Sequence, residues 1–452
     1  MNNLRDKPMT QFSFEWILSL NWPSHFWGPL HILAIDLATI LFDNRLAKEK
    51  SRNIAQKLEA FGRLLDDEGK PQYARRYLDA AAAWFDRIGD KAKLHELTVC
   101  IAEGWVREAS GRSQAAVAAS FYENAIQTYR RIPKRERAER DVDERLNELY
   151  TLMSDVGRHA LNEMRRISSS VDISGLIETA RNAVRGRAPL DALLALAGVC
   201  SSLRVVSLRE SSEAMLKEHP IRTLLSSTHI SRDGRVVAKR PGVDWSDPTS
   251  QAYRSVLWAE MIRNYGMQLA IWVSGAILPG LEILILEHRL RESDFVSLAG
   301  ESPIVPHSRE RLWGKALFCG YEGDFVAAVH LLTPQIEHMV RWHLKAAGVK
   351  TTNLDVDGIE NENGLSALLE LNEVTRIFGE DLAFELKALF CDPLGPNLRN
   401  ELAHGLMDHD ACQSGYSLFA WWLGLRLICS SFWNRKRNQK SEEDAPVHRT
   451  DG

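Results

Sequence analysis

The hydrophobic pattern between residues 53 and 132 is that of amphipathic helices. Apolar residues recur every three or four positions, as they do on the buried face of a helix. The positions that set this period are Ala55, Leu58, Phe61, Leu64, Tyr77, Ala80, Ala83, Trp84 and Ile88. Short clusters of glycine and charged residues separate the helices. The pattern therefore predicts a series of helical hairpins.

The paired helices alternate alanine and aromatic positions, so the series resembles a tetratricopeptide-type array, without a clean fixed period. A charged segment, residues 134–145, follows and is interpreted as a solvated helix start or a linker. We assign residues 1–140 to an N-terminal helical-hairpin region. Its surface is a candidate site for a protein partner.

A β-hairpin pattern interrupts the helices at residues 228–240. β-Branched residues lie on either side of Asp233 and Gly234, a dipeptide that favours the positive backbone angles of a tight turn. This is the only strand pair that the pattern predicts. Helices resume near Thr249, so residues 141–300 form a middle region that is helical apart from the hairpin.

The helical pattern continues after residue 300. Asp324 precedes a helix in which Pro334 should produce a kink or mark the true start. Its apolar positions are Phe325, Val329, Leu332, Ile336, Met339 or Val340, and Leu344. A pair of helices over residues 364–378 and 381–390 follows.

A proline-rich break, residues 392–396, precedes a short helix that Asn397 would cap and Gly405 would end. A last apolar helix covers residues 413–433. We assign residues 301–433 to a C-terminal helical bundle and the polar residues 434–452 to a disordered tail. The predicted fold class is mostly α.

The net charge and the cysteines limit the classes of protein to which the chain can belong. The net charge of -4 and the pI near 6.4 argue against a protein that coats nucleic acid over its whole surface. The six cysteines form no CxxC pair, which is typical of reduced thiols in a cytoplasmic protein. The first residues lack a signal-peptide pattern. The apolar stretches 267–286 and 416–433 are interpreted as buried helices rather than membrane spans, so we expect a cytoplasmic protein without a membrane partner.

Candidate chemistry lies in the motif segment, Asn397 to Gly405. If Asn397 caps a helix, Arg399 and Asn400 lie in the first turn, where unpaired N–H groups and the helix dipole favour phosphate. Asn400 and His404 share a face, whereas Arg399 lies roughly 140° from His404. Arginine binds phosphate oxygens and histidine transfers protons, which is what cleavage of RNA by its own 2′-hydroxyl requires.

The spacing alone also allows a structural interpretation. Arg399 could pair with Glu401 or another carboxylate, and His404 could cap a carbonyl group. An arginine and a histidine five residues apart are common in helices. Spacing therefore leaves both interpretations open.

A family resemblance favours the functional interpretation of the motif segment. Residues 399–405 read Arg-Asn-Glu-Leu-Ala-His-Gly, which resembles the R-x4-6-H signature of the HEPN superfamily (higher eukaryotes and prokaryotes nucleotide-binding). They resemble more closely the RNxxxHG motif of the branch catalogued as domain of unknown function 4209. Residues 327–341 are also similar to that branch, and the resemblance covers about residues 302–433.

The resemblance implies a helical bundle that forms a homodimer and brings two motifs into one cleft. Many such proteins are metal-independent endoribonucleases of toxin or defence systems, and others are inactive modules that bind RNA or a nucleotide. By this resemblance Arg399 and His404 are catalytic and Asn400 supports them. Leu406 stands where some toxin members carry tyrosine, which puts close kinship with those toxins in doubt.

Further residues are candidates for supporting roles. Glu337 and Arg341, four apart on one helix, form a structural ion pair or position Arg399. Residues expected to contact the RNA backbone, unless the hairpin is an ordinary exposed ribbon, are Arg232, Arg235, Lys239 and Arg240. His330, His338 and His343 do not converge, so we expect no metal. Since no glycine-rich nucleotide motif is present, we expect no cofactor.

Three hypotheses follow. The first is a metal-independent endoribonuclease that acts on RNA as a homodimer through its C-terminal bundle. The second is a catalytically inactive module that binds RNA or a nucleotide with the same residues. The third is a scaffold whose helical hairpins bind a protein partner.

Overall fold

The computed structural model describes residues 30–45, 48–165, 170–220, 226–240, 242 and 247–443. Its content is 72% helix and 4% strand, so the prediction of a mostly α protein is confirmed. The chain forms two compact units. The first contains residues up to 167 together with 230–236, and the second contains residues 168–229 and 237 onward.

The first unit consists of consecutive helices, of which the four between residues 51 and 129 each pack on the next. They are α1 (Leu30–Asp43), α2 (Ser51–Asp67), α3 (Pro71–Arg87), α4 (Lys91–Ser110), α5 (Ala115–Tyr129), α6 (Lys134–Arg137) and α7 (Val142–Glu163). The predicted helical hairpins are therefore present. One detail of the predicted face is wrong, because Leu65 is buried and Leu64 is 42% exposed.

The second unit contains the remaining helices of the described chain. They are α8 (Ser174–Val184), α9 (Pro189–Ala197), α10 (Val205–Glu218), α11 (Gln251–Trp272), α12 (Leu278–Glu287), α13 (Glu292–Gly300), α14 (Glu310–Tyr321), α15 (Phe325–Ala346), α16 (Leu365–Leu368), α17 (Asn372–Phe390), α18 (Leu398–Ala403), α19 (His409–Cys412) and α20 (Gly415–Glu443). A single hydrophobic core joins residues from Ala180 to Cys429. The predicted boundary between residues 300 and 301 therefore does not divide this unit.

The strands of the described residues form two antiparallel hairpins. The predicted hairpin pairs β1 (Ser227–Ile230) with β2 (Val236–Arg240), and its turn places Gly234 at φ 86°. A second hairpin pairs β3 (Thr352–Leu354) with β4 (Glu360–Glu362) and was not predicted.

The helix α15 is at the centre of the C-terminal elements and contacts α14, α16, α17, α18, α19 and α20. Asp324 caps it by accepting from the backbone N–H of Ala327 at 2.9 Å. Of the two alternatives for Pro334, the helix start is wrong, because the helix begins at Phe325 and continues through Pro334. Pro334 lies on the exposed face, and the predicted apolar positions are all buried.

The last two long helices agree with the prediction in one respect and differ from it in another. The α17 helix has a break at Gly379, with φ 79° and ψ 160°, which corresponds to the predicted division between two helices. The α20 helix continues to Glu443, so the predicted disordered tail is wrong for residues 434–443. Residues 444–452 lie outside the described residues.

One helical stretch in the described chain, Gln251–Glu287, is long and apolar enough to cross a membrane by length and composition alone. It has 37 residues, and 61% of its most apolar window is buried within the protein. It includes the apolar stretch 267–286 that the sequence singled out.

The buried carboxyl of Glu385 on α17 provides a test of the packing in the second unit. Burial raises the pKa of Glu385 to about 7; Arg426 opposes this change and Asp381 adds to it. A carboxyl whose folded pKa exceeds its unfolded pKa of about 4.3 loses folding stability as the pH rises between those values. We expect Glu385→Gln to be more stable than the wild type by a few kcal/mol at pH 8, and nearly equal to it at pH 4.5. Urea denaturation at both pH values measures this; an equal difference at both would contradict it.

Candidate functional site

The motif segment begins with an unusual backbone. Asn397 adopts a left-handed conformation, with φ 51° and ψ 37°, which asparagine tolerates better than most residues. The prediction of a side-chain N-cap is wrong, because the Asn397 side chain makes no capping bond. Its Oδ1 instead accepts from Nδ2 of Asn400 at 2.7 Å. This bond fixes the amide of Asn400.

The segment ends as the sequence predicted. Gly405 has φ 66°, its N–H donates to the carbonyl of Leu402, and the N–H of Leu406 donates to the carbonyl of Glu401. These two bonds form a Schellman motif, which requires a residue with positive φ. His404 is therefore the last residue before the turn, and its side chain is exposed.

One N–H group of the predicted phosphate seat is already bonded within the segment. The α18 helix has only six residues, and the N–H of Asn400 donates to the carbonyl of Asn397 at 3.0 Å. Of the side chains in this segment, Arg399 is the one whose chemistry suits phosphate oxygens.

Arg399 is held by α15. Its Nε donates to Oε2 of Glu337 at 2.9 Å, and one terminal nitrogen donates to Oδ1 of Asn400 at 3.2 Å. The other terminal nitrogen lies close to Gly364, where an added Cβ would be 3.0 Å away. Gly364 therefore leaves the space that the guanidinium occupies, while 30% of the Arg399 side chain remains exposed.

Glu337 also binds Arg341, so one carboxylate joins two arginines. Arg341 donates to Oε1 of Glu337 at 2.7 Å and to the carbonyl of Asn363 at 2.8 Å. Both alternatives for the Glu337–Arg341 pair therefore hold: it is an ion pair, and it positions Arg399. Burial alone would raise the pKa of Glu337, but hydrogen bonds from Arg341 and Arg399 outweigh it and lower that pKa.

A second carboxylate extends the cluster. Glu362, on β4, lies 3.2 Å from Nε of Arg341 and pairs with Lys345. The sequence did not indicate Glu362, Asn363 or Gly364 as site residues. The signal that was available is Asp357-Gly358, which has the same turn preference as the predicted hairpin.

The basic hairpin residues are placed in other contacts. Arg235 pairs with Asp233 across the turn, and Nε of Arg240 donates to Ser227 at 3.0 Å. Arg232 and Lys239 are exposed. The structure therefore unites Arg399, Asn400 and Asn397 with the Glu337–Arg341 pair, and none of the hydrogen bonds or ion pairs described for this cluster involves a basic hairpin residue.

Candidate metal ligands were searched for among the described residues. No group of three or more histidine, cysteine, aspartate or glutamate side chains within them could hold a metal ion. Two histidines of α15 contact backbone carbonyl groups: His330 contacts the carbonyl of Val326 on the same helix, and His343 contacts that of Ile304.

Comparisons with known proteins add no identification. No family model, no curated protein and no solved structure matches the chain.

The carboxylate between the two arginines leads to a prediction. We expect Glu337→Gln to lower the free energy of unfolding by about 1–2 kcal/mol at pH 7, because two partly buried guanidinium groups lose their shared charge partner. Since the folded pKa of Glu337 is lowered, its contribution is present above the unfolded pKa of about 4.3 and is lost as the pH falls through the folded pKa. The difference between variant and wild type should therefore shrink below about pH 4.

Urea denaturation at pH 7 and at decreasing pH measures this difference. Glu282→Gln is the matched control, because Glu282 pairs with Arg181 but is 63% exposed. We expect it to change stability by less than about 0.5 kcal/mol. A Glu337→Gln effect that stays constant at acid pH would contradict the assigned role of the carboxylate.

Proposed function

We propose that the protein is a metal-independent endoribonuclease of HEPN type that cleaves RNA through attack of the 2′-hydroxyl. The observation that carries the proposal is the position of Arg399. Glu337 and Asn400 hold its guanidinium, and part of it stays exposed. His404, the only histidine in the motif segment, is exposed at the end of the same short helix.

The chemistry that we propose gives the two side chains separate roles in one displacement. His404 removes the proton of the 2′-hydroxyl or protonates the leaving 5′-oxygen, and water takes part in the other proton transfer. The 2′-oxygen then bonds to phosphorus while the bond from phosphorus to the 5′-oxygen breaks, which leaves a 2′,3′-cyclic phosphate and a 5′-hydroxyl. Arg399 stabilises the additional negative charge on the phosphorus oxygens. No step requires a metal ion.

A homodimer is part of this proposal. Arg399 turns toward α15, whereas the His404 side chain is exposed at the helix end. We propose that a second copy, paired through the C-terminal bundle, contributes its motif segment to the same cleft. The defence or toxin role remains an expectation from the resemblance. We also propose that the N-terminal array is tetratricopeptide-like and receives a protein partner, and that the protein is cytoplasmic.

Incubation of the purified protein with structured RNA in EDTA tests the activity. We expect cleavage to persist, with cyclic phosphate at the new 3′ ends and free hydroxyl at the new 5′ ends. Intact RNA throughout the incubation, or cleavage that EDTA abolishes and Mg²⁺ restores, would overturn the proposal.

A binding module without catalysis is the second candidate. The ion pair between Arg399 and Glu337 favours it, because the pair already neutralises the arginine in a single chain. This candidate predicts RNA that stays intact but binds to the wild type, with affinity lost in Arg399→Ala. If neither motif residue affects RNA, and removal of residues 53–132 abolishes capture of a partner, the scaffold hypothesis is favoured instead.

A further inference from the structure

The way in which two arginines share the Glu337 carboxylate limits its contact with Arg399. Oε1 of Glu337 accepts from Arg341 at 2.7 Å, and Oε2 accepts from Nε of Arg399 at 2.9 Å. An arginine that faces a carboxylate alone often donates two parallel hydrogen bonds, one to each oxygen. Because Arg341 occupies one oxygen, Arg399 makes a single bond to Glu337.

Arg341 is held in this position by the β3–β4 hairpin. The terminal nitrogen that binds Glu337 also donates to the carbonyl of Asn363 at 2.8 Å, and Nε of Arg341 forms an ion pair with Glu362 at 3.2 Å. Asn363 is itself fixed, because its N–H donates to the carbonyl of Thr351 at 2.9 Å. The Arg341 side chain is therefore anchored on three sides, and only 16% of it is exposed.

The single bond leaves part of the Arg399 guanidinium for another acceptor. One terminal nitrogen donates to Oδ1 of Asn400 at 3.2 Å. The other, which lies beside Gly364, has no hydrogen bond among the described residues. Since 30% of the Arg399 side chain is exposed, a phosphate oxygen can reach this end of the guanidinium.

The arrangement would differ if Arg341 did not occupy Oε1 of Glu337. Both carboxylate oxygens would then be open to Arg399, whose unbonded terminal nitrogen could turn toward Oε1. Two parallel bonds hold an arginine more strongly than one. The nitrogen that is available to a phosphate would then be used by Glu337 instead.

We propose that Arg341 is a positioning residue, which holds one oxygen of Glu337 and so leaves a terminal nitrogen of Arg399 available to a phosphate of the RNA. The β3–β4 hairpin supports this role by anchoring Arg341 through Glu362 and Asn363. Arg341 acts through Glu337 and does not itself contact the RNA. The effect on Arg399 is independent of the proposed function, whereas the effect on cleavage rests on it.

Labelling with phenylglyoxal, a reagent that modifies guanidinium groups, tests the arrangement without RNA. The full chain is labelled, and the modification of Arg399 is followed over time by mass spectrometry. We expect Arg341→Met to slow the labelling of Arg399 by about threefold or more, because a second charge-assisted bond to Glu337 engages the available nitrogen. Glu337→Gln should accelerate the labelling, because Arg399 loses its charge partner.

A double variant and a matched control make this test specific. Arg341→Met combined with Glu337→Gln should label Arg399 as Glu337→Gln alone does, because Arg341 acts only through that carboxylate. Arg181→Met is the control, since Arg181 pairs with two carboxylates, those of Glu178 and Glu282, but with no residue of the motif cluster. It should leave the labelling rate of Arg399 unchanged.

The sign of the change separates the proposal from a role in packing alone. Faster labelling of Arg399 in a folded Arg341→Met variant would overturn the proposal, and so would an effect that persists in the double variant. Thermal unfolding shows whether the variant is folded. If it is not, Arg341→Lys decides, because lysine keeps a positive charge beside Glu337 and should label Arg399 within about twofold of the wild-type rate. Labelling as fast as in Glu337→Gln would overturn the proposal.

Cleavage kinetics test the consequence for the proposed function. We expect Arg341→Met to lower kcat for RNA by about 10-fold and to change KM less, because Arg399 acts on charge that develops in the transition state. Slower labelling of Arg399 with an unchanged kcat would overturn the role of Arg341 in cleavage. If labelling changes as expected but the wild type cuts no RNA, the arrangement of the two arginines stands and the proposed ribonuclease function fails.

Discussion

Replacing His404 by alanine is expected to lower the rate of RNA cleavage by about 10²–10⁴-fold, the usual contribution of a general acid or base. The side chain is exposed at the end of α18, and among the described residues its imidazole has no hydrogen-bond partner. Removing it should therefore leave the fold intact. The backbone bonds of the Schellman motif do not involve the side chain, so alanine preserves them.

His409→Ala is the control for this substitution. His409 begins α19, five residues further along the chain, and is also exposed. We expect the control to cleave RNA at the wild-type rate and to have the same melting temperature. Gel assays in EDTA, with end analysis of the products, measure the difference. A His404→Ala rate within about twofold of the control would exclude His404 as the proton-transfer group of a general acid–base step.

The second large effect is expected from Gly395→Ala. A Cβ at this position would lie 2.2 Å from the carbonyl oxygen of Ala388, which belongs to the buried α17 helix. A backbone atom cannot move aside as a flexible side chain does, so the segment before Asn397 must shift. We expect a loss of about 1–3 kcal/mol in the free energy of unfolding, together with a loss of cleavage.

Gly175→Ala separates this effect from a general cost of replacing glycine. Gly175 lies in the first turn of α8, where nothing is within 4 Å of an added Cβ. We expect that substitution to be neutral or slightly stabilising. Thermal unfolding and the EDTA cleavage assay are made on both variants. Equal stability of the two would show that the segment before the motif tolerates a shift.

The sequence predicted local features whose causes are local. Helical periodicity gave the buried positions of α15, from Phe325 to Leu344, because a packed helix must bury one face. Gly405 was predicted to end the short helix on the basis of residue chemistry alone, and its positive φ and the hydrogen bonds of the turn confirm this. The Asp-Gly signal predicted the first hairpin, and the same signal at residues 357–358 was available for the second.

Other features could not be predicted because they depend on neighbours distant in the chain. The α15 helix continues through Pro334, which lies on its exposed face. The apolar period alone did not predict whether the helix continues through this proline or begins at it. Asn397 has the residue type of an N-cap, but its left-handed backbone and its bond to Asn400 replace that role. Residues on both sides of the boundary predicted at residue 300 share the hydrophobic core of the second unit.

The motif itself was identified in the sequence, because Arg399, Asn400 and His404 have residue types that phosphate binding and proton transfer use. Only the tertiary structure decided what holds Arg399. Glu337 is 62 residues away along the chain, yet its carboxylate receives the Arg399 Nε at 2.9 Å. A short-range sequence pattern predicts helix faces and turns. An ion pair between residues this far apart in the chain forms only because packing places α18 against α15.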